Sequence, residues 1–188
     1  LGLMSGTSMD GIDVSIIKSD GEQSLEIIDN IYLKYDDQLR SELTNVIDSC
    51  FSKKEFKKLS NNIIKLEKKI TLKHFQICEL IMKKNKNIKI DIIGFHGQTL
   101  LHKPQEGYSI QIGDSKFLAK LTKTTVVSNF RENDILNGGQ GAPLTPIYHH
   151  LILSKIKSRL PLAVVNIGGI SNVTYLENVN KIISFDTG

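Results

Sequence analysis

Several features that would assign the chain to a common class are scarce or missing. It has 188 residues with no tryptophan, and aromatic residues make up 6% of it. A stacking platform for single-stranded nucleic acid needs aromatic rings, so this composition argues against one. No apolar run approaches the roughly 20 residues that a membrane-spanning helix needs, and no basic segment with an apolar core opens the chain. We therefore expect no membrane partner and a cytoplasmic location.

Cysteine is also scarce, and two common catalytic motifs are missing. Cys50 and Cys78 lack CxxC spacing and stand in helical patterns, so we expect reduced, buried thiols. Neither GxSxG nor GxxxxGK[ST] occurs, so neither a serine hydrolase nor a P-loop NTPase is indicated. His96 and His102 have no further ligand at a convincing spacing, which disfavours a structural zinc site with its four protein ligands.

The positive charge lies mainly in two lysine-rich segments. The net charge is +4, and the lysines of residues 53–69 and 83–89 alternate with apolar residues at helical spacing. We interpret them as solvated helix faces and expect no nucleic-acid partner. The remaining composition, 40% hydrophobic and 23% charged, is that of an ordinary globular protein with one good core.

The first 18 residues predict a hairpin whose turn binds an anion. An apolar run enters a turn of glycines and small hydroxyl residues, and an alternating strand leaves it. We expect Gly6 and Gly11 to adopt positive φ and to let a ligand approach the backbone. Successive N–H groups in such a turn form a concavity suited to a phosphate. The alternative is an ordinary hairpin with a polar turn.

Polar side chains in this turn extend the hypothesis to a nucleotide and its metal. Thr7 and Ser8 add hydroxyl donors, and Asp10 and Asp13 could hold Mg²⁺ directly or through water. Residues 162–176 repeat the order of apolar strand, glycine turn and apolar strand, which suggests two related lobes. Two such hairpins, facing each other across a cleft, could grip a polyphosphate from both sides.

Between the hairpins the pattern predicts a mixture of strands and helices. A buried strand at 88–95 ends in polar residues, which suggests a ligand site at its C-terminal end. The irregular, glycine-rich loop at 129–143 is long enough to indicate a functional role. The other predicted elements are strands at 24–35, 108–112, 125–127 and 182–185 and helices at 36–50, 54–84 (with one break), 114–121 and 144–157.

Three polar residues in these elements could carry chemistry. Asp186 follows an apolar strand and could act as a general base, although an Asp that caps its own turn is the alternative. In the irregular loop, Arg131 could bind a carboxylate and Asp134 could bind hydroxyl groups. A surface ion pair between them is the alternative.

Seven segments of the chain resemble, in order, the signature segments of the anhydro-N-acetylmuramic acid kinase family. Each segment alone is weak, but the seven together span the chain and are specific. They are residues 6–13, 94–99, 111–114, 130–131, 138–144, 166–172 and 185–188.

The resemblance implies a fold and a reaction. The fold would be α/β, with a ribonuclease-H-like (actin-like ATPase) lobe at residues 1–136, built as a mixed sheet flanked by helices. Residues 137–188 would form an inter-lobe segment and the first strands of a second, truncated lobe. The implied reaction uses ATP and Mg²⁺ to hydrolyse the 1,6-anhydro ring of anhydro-N-acetylmuramic acid and to phosphorylate O6, in cell-wall sugar recycling.

The same resemblance implies roles for individual residues. Asp186 would be the catalytic base, and Gly168 and Gly169 would form the second ATP phosphate segment. The first ATP phosphate segment would comprise Gly6, Thr7, Ser8, Met9, Asp10, Gly11, Ile12 and Asp13. The substrate-binding residues would be His96, Gln98, Arg131, Asp134 and Gln140.

One departure from the family limits these expectations. The family continues beyond the Asp-Thr-Gly turn through most of a second lobe, whereas this sequence stops at Gly188. We therefore expect a fragment that does not turn over substrate alone and that exposes a sheet edge and apolar surface. The alternative is a non-catalytic sugar- or nucleotide-binding lobe, or one subunit of a split kinase. A homodimer and a separate second-lobe polypeptide both stay open as partners.

Overall fold

The computed structural model describes residues 1–50, 52–58, 60–155, 160–168, 171–178 and 181–187. The strands are β1 (Gly2–Ser5), β2 (Gly11–Ser19), β3 (Leu25–Lys34), β4 (Ile92–Lys103), β5 (Tyr108–Ile112), β6 (Thr125–Val127), β7 (Leu162–Asn166), β8 (Asn172–Asn178) and β9 (Lys181–Asp186). The helices are α1 (Asp37–Asp48), α2 (Lys53–Lys58), α3 (Ser60–Lys84), α4 (Ser115–Thr122), α5 (Glu132–Leu136) and α6 (Pro146–Lys155).

The larger sheet is mixed and has six strands. Its order is β3-β2-β1-β4-β5, with β6 also paired to β4. The β1–β2 and β2–β3 pairs are antiparallel, whereas β4 runs parallel to both β1 and β6. The predicted opening hairpin and third strand are therefore confirmed, as is the α/β class with a mixed sheet and flanking helices.

The core lies between this sheet and α3. The apolar face of α3 packs against strands β2 to β5 because its apolar residues recur every three or four positions. The buried residues of that face are Ile63, Leu66, Ile70, Ile77 and Ile81, and the sheet contributes Leu3, Ile12, Val14, Ile16, Ile93 and Phe95. These side chains form one continuous hydrophobic core between the helix and the sheet.

The starts of α1 and α4 agree with the sequence-based expectations. Asp36 caps α1 by accepting the N–H of Leu39 at 2.9 Å, and Asp114 caps α4 by accepting the N–H of Phe117 at 2.9 Å. The pattern at 54–84 forms two helices, α2 and α3, and position 59 lies outside the described residues. Both cysteines are free and buried, as expected.

The lysine-rich segments are solvated and partly neutralised. Lysines of α3 pair with acids on neighbouring elements, Lys69 with Glu42 of α1 and Lys84 with Asp29 of β3. A basic surface whose charges are matched in this way is a poor attractor of a polyanion. This arrangement supports the interpretation of the lysines as a solvated helix face.

Strand β4 differs from the prediction. It begins at Ile92, four residues later than expected, and runs through the predicted polar end to Lys103, so that His96 and Gln98 lie inside a strand. Gly97, with φ of 74°, allows the change, since the strand turns there from its partner β6 towards the antiparallel strand β5. A Cβ on Gly97 would lie 2.6 Å from the carbonyl oxygen of Ile112, so no other residue fits without movement.

The irregular loop is only partly irregular. Residues 132–136 form the short helix α5, which the sequence did not predict, and the following helix α6 starts at Pro146 rather than at residue 144. Glu132 and Asp134 stand in the first turn of α5, where negative charge favours a helix. Pro146 occupies the first position of α6, where proline is favoured because its fixed φ suits the start of a helix.

Strands β7, β8 and β9 form a second, antiparallel sheet. It repeats the succession of β1, β2 and β3, as the two similar hairpins in the sequence suggested. Helix α6 packs against β8 and β9, and Thr174 and Leu176 are buried on that side. Within the described ranges, no helix has the length and apolar character needed to cross a membrane.

Candidate active site

The turn between β1 and β2 is closed by backbone hydrogen bonds. The N–H of Met9 donates to the carbonyl of Gly6 at 3.2 Å, and the carbonyl of Asp10 accepts the N–H of Tyr35 at 2.9 Å. Met9 adopts the left-handed conformation, with φ of 52°, whereas Gly6 and Gly11 do not. The expectation of positive φ at the two glycines is therefore wrong, because the residue between them makes the reversal.

Gly11 is required for a different reason, the close packing of β2 against β3. A Cβ at Gly11 would lie 2.4 Å from the carbonyl oxygen of Leu33 and 2.6 Å from the ring of Tyr32. Gly6 stands in open space, since the nearest atom to a Cβ there is the Ser8 hydroxyl at 4.0 Å. The backbone at Gly6 is therefore accessible to a ligand, whereas the glycine at position 11 serves the packing of β2 against β3.

The carboxylates of Asp10 and Asp13 interact electrostatically at this turn. The Ser8 hydroxyl donates to Asp10 and lowers the pKa of that carboxyl, whereas burial and the charge of Asp10 raise the pKa of Asp13. A divalent cation between them would relieve this repulsion, and carboxylate oxygen is the ligand that Mg²⁺ prefers. Among the described residues no group of three or more His, Cys, Asp or Glu side chains gathers as a metal site. The pair fits an ion that takes its remaining ligands from water and phosphate.

His96 is buried within β4 and fixed in one tautomer. Its Nδ1 donates to the carbonyl of Gly97 at 2.7 Å, which leaves Nε2 to accept from Nε of Arg131 at 2.9 Å. Burial, and next the charge of Arg131, lower the pKa of His96 to about 4. The ring is therefore neutral near pH 7, and it orients Arg131 instead of carrying a proton.

Arg131 joins His96 to the glycine-rich loop. Its Nη1 donates to the carbonyl of Gly141 at 2.6 Å, and the N–H of Gly141 donates to the carboxylate of Asp134 at 2.7 Å. Arg131 is part-buried, and burial lowers its pKa. Asp134 thus holds the loop, and Gln140 lies exposed on the same loop.

Gln98 connects β4 with the turn between β1 and β2. Its side chain is completely buried, and its Nε2 donates to the carbonyl of Gly6 at 2.8 Å and to that of Thr99 at 3.2 Å. The structure therefore brings this predicted substrate-binding residue into direct contact with the first predicted ATP segment.

Asp186 stands at the end of β9, in the second sheet, and is exposed. Burial lowers the pKa of both Arg131 and His102, and the negative charge of Asp186 partly opposes that lowering. Gly168 is exposed just after β7, and Gly169 lies outside the described residues.

The family model of anhydro-N-acetylmuramic acid kinase matches residues 1–188. The chain belongs to that family. It is 52% identical over 190 residues to an anhydro-N-acetylmuramic acid kinase of Pelagibacter ubique (strain HTCC1062). It is 38% identical to one of Rhodopseudomonas palustris (strain ATCC BAA-98 / CGA009) and 39% identical to one of Agrobacterium fabrum. The three alignments include the whole of this chain but only 50%, 52% and 52% of the length of those relatives. The chain thus spans about half the length of the curated relatives it matches.

Local patterns in the sequence did not indicate two buried polar residues of this member of the anhydro-N-acetylmuramic acid kinase family, Ser5 and His74. Ser5 donates to the carbonyl of Gly97 at 2.9 Å, and His74 of α3 lies 3.4 Å from the Ser5 hydroxyl. His74 is fully buried, and burial lowers its pKa to about 4. A histidine on the apolar face of a helix, one turn after Ile70, is the one signal that could have pointed to it.

Proposed function

We propose that this chain provides one half of an ATP-dependent anhydro-N-acetylmuramic acid kinase. Residues 1–136 would be its first lobe, and residues 137–188 an inter-lobe segment and the start of the second. The observation that carries the proposal is the arrangement around Arg131, whose guanidinium donates to His96 at 2.9 Å and to the carbonyl of Gly141 at 2.6 Å. The general base Asp186 would act on a sugar held at this surface, in a reaction between the lobes.

ATP binding is assigned to the two glycine-containing turns. Residues 6–13 would bind phosphate oxygens through N–H groups of the turn, such as that of Thr7, and Gly168 and Gly169 would approach the phosphates from the other side. Asp10 and Asp13 would hold Mg²⁺, which neutralises charge that develops on the phosphates during transfer.

Sugar binding is assigned to β4 and the loop that follows β6. Arg131 uses two of its five N–H donors on His96 and Gly141, so the others are available for the carboxylate of a muramic acid. His96 would fix the guanidinium, Asp134 would hold the loop, and Gln140, which is exposed on that loop, would complete this side of the site.

Asp186 would carry out the first chemical step. It takes a proton from the water that attacks C1, the C1–O6 bond of the anhydro ring breaks, and the freed O6 attacks the γ-phosphate. The products are ADP and N-acetylmuramic acid 6-phosphate. The anhydro sugar and N-acetylmuramic acid 6-phosphate are the substrate and product expected in recycling of cell-wall sugars.

The test compares Asp186→Asn with the unmodified chain, each alone and mixed with the second half of the Pelagibacter ubique relative. Phosphate transfer from ATP to the anhydro sugar is measured, with Asp29→Asn as the control because Asp29 lies on the far strand β3, where it pairs with Lys84 of α3. We expect transfer by the mixtures of the unmodified chain and of Asp29→Asn, and at least about a 10²-fold loss with Asp186→Asn. Equal rates with and without the Asp186 carboxylate would refute its role.

The same mixtures decide between the proposed kinase and its alternative. Sugar or nucleotide binding without transfer in any mixture would indicate a non-catalytic lobe. Transfer only when both polypeptides are present would indicate a split or truncated kinase. Sedimentation of each mixture would show whether the active species is a pair of unlike chains or contains two copies of this one.

A further inference from the structure

We propose that Gln98 is a positioning residue that points the N–H of Thr7 towards the phosphates. This inference rests on the proposed function, because it concerns how the first ATP segment is held. Gln98 lies on β4, the strand that also carries His96, and it reaches across to the turn after β1.

The carbonyl of Gly6 is the point of attachment. It accepts the N–H of Met9 at 3.2 Å within the turn and the side-chain Nε2 of Gln98 at 2.8 Å from β4. In a planar trans peptide the C=O and the following N–H point in opposite directions. Holding the Gly6 carbonyl against β4 therefore directs the N–H of Thr7 away from the sheet, and Thr7 is exposed. An outward N–H at a turn is an anion donor.

A second bond of the same kind runs in the opposite direction. The Ser5 hydroxyl on β1 donates to the carbonyl of Gly97 on β4 at 2.9 Å, and that carbonyl also accepts Nδ1 of His96 at 2.7 Å. The side chain of Ser5 thus binds the backbone of β4, and the side chain of Gln98 binds the backbone just after β1. The turn between β1 and β2 is thereby connected through β4 to His96 and Arg131, the residues proposed to bind the sugar.

The environment of Gln98 fits a positioning role better than a substrate contact. The residue has no exposed surface, and its Oε1 is buried without a hydrogen-bond partner among the described residues. An unpaired buried carbonyl is unfavourable. The two bonds that the amide nitrogen donates are therefore what holds the side chain in place. Those bonds end on Gly6 and Thr99, both backbone carbonyls.

Hydrogen exchange on this chain tests the orientation directly. Gln98→Met keeps the length of the side chain and removes the donor, and we expect amides of residues 6–11 to exchange about fivefold faster. Gln111→Met is the matched control, since the amide of Gln111 bonds Ser109 and Thr99 and not the turn. If Gln98→Met fails to fold, Gln98→Asn, which is too short to reach Gly6, replaces it. Unchanged exchange at residues 6–11 would overturn the inference.

Kinetics of the mixture with the second half of the relative separate positioning from substrate contact. We expect Gln98→Met to raise the KM for ATP about fivefold and to leave the KM for the anhydro sugar unchanged. A rise in the sugar KM alone would make Gln98 a substrate contact and refute the inference. Absence of turnover by the unmodified mixture would refute the proposed function, and the exchange result would still decide the orientation of the turn.

Discussion

Gly6 and Gly11 belong to one turn but tolerate substitution very differently. Gly11→Ala would place a Cβ against the backbone of Leu33, so we expect the free energy of unfolding to fall by about 1–3 kcal/mol or more. Gly6→Ala meets open space and should change that free energy by no more than about 0.5 kcal/mol. Urea denaturation of both variants measures the difference.

The same pair separates stability from ligand access. A Cβ at Gly6 would stand where a phosphate approaches the backbone, so Gly6→Ala should weaken ATP binding while the chain remains as stable as before. If Gly6→Ala bound ATP normally, the assignment of the turn as a phosphate site would be wrong. Gly2→Ala is the control, since a Cβ there has nothing within 4 Å and lies before the turn.

His74 and His96 make stability depend on pH. Burial lowers the pKa of both rings from 6.5 to about 4, so between these values the unfolded chain binds more protons than the folded one. The stabilisation is complete above pH 6.5 and is lost as the pH falls towards 4. For His74 alone we expect a loss of about 2 kcal/mol between neutral pH and about pH 5.

Urea denaturation of His74→Gln at both pH values measures this contribution. The variant should lose less stability than the unmodified chain on acidification, by about that 2 kcal/mol. His149→Gln is the comparison, since His149 is only part-buried beside Thr174 and should alter the pH dependence less. An unchanged pH dependence in His74→Gln would contradict the account of the buried ring.

Residue types in the site could be predicted from the sequence, but not what each side chain contacts. The glycines, carboxylates and Arg131 are recognisable from local motifs. The bond from Gln98 to Gly6 and the bond from Ser5 to Gly97 each join residues 92 positions apart in the sequence. Both bonds therefore depend on β1 lying beside β4. No local pattern in either strand specifies that pairing.

At the scale of elements, α3 carries much of the stability of the first sheet. Ile77 is completely buried, and we expect Ile77→Ala to lower the free energy of unfolding by about 2–5 kcal/mol. Leu80 stands one turn away with 54% of its surface exposed, so Leu80→Ala should cost less than about 0.5 kcal/mol. Equal effects of the two substitutions in thermal or urea denaturation would contradict the packing of this helix.

Elements with a clear period were predictable, and those shaped by a distant contact were not. Strands β5 and β6 and the cap of α1 follow from local alternation and a capping Asp. Strand β4 was cut short because Gly94 and Gly97 are typical of a strand end. Its continuation depends on β5, which supplies hydrogen bonds to the second half of the strand.

At the scale of the molecule, the second sheet has one apolar face in contact with solvent. Val165, Ile183 and Phe185 lie on one side of β7 to β9 and are 56%, 45% and 46% exposed. Exposed apolar surface of this kind promotes association, as the sequence analysis anticipated. We expect Ile183→Ser to reduce light scattering by concentrated protein, with Ile27→Ser on β3 as the control.

Ile27 is 53% exposed, so it matches Ile183 in type and exposure but lies on the first sheet. If Ile27→Ser reduced scattering as much as Ile183→Ser, association would not depend on the apolar face of the second sheet. Addition of the second half of the Pelagibacter ubique relative should also lower scattering if that half covers the face.

The most direct test of the central claim is the identity of the product in heavy-oxygen water. The chain is mixed with the second half of the relative, ATP, Mg²⁺ and anhydro-N-acetylmuramic acid, and the sugar product is analysed by mass spectrometry. The account predicts a single product that carries phosphate on O6 and one heavy oxygen at C1. Release of phosphate from ATP with the anhydro ring intact, or a phosphorylated sugar without the heavy oxygen, would contradict it.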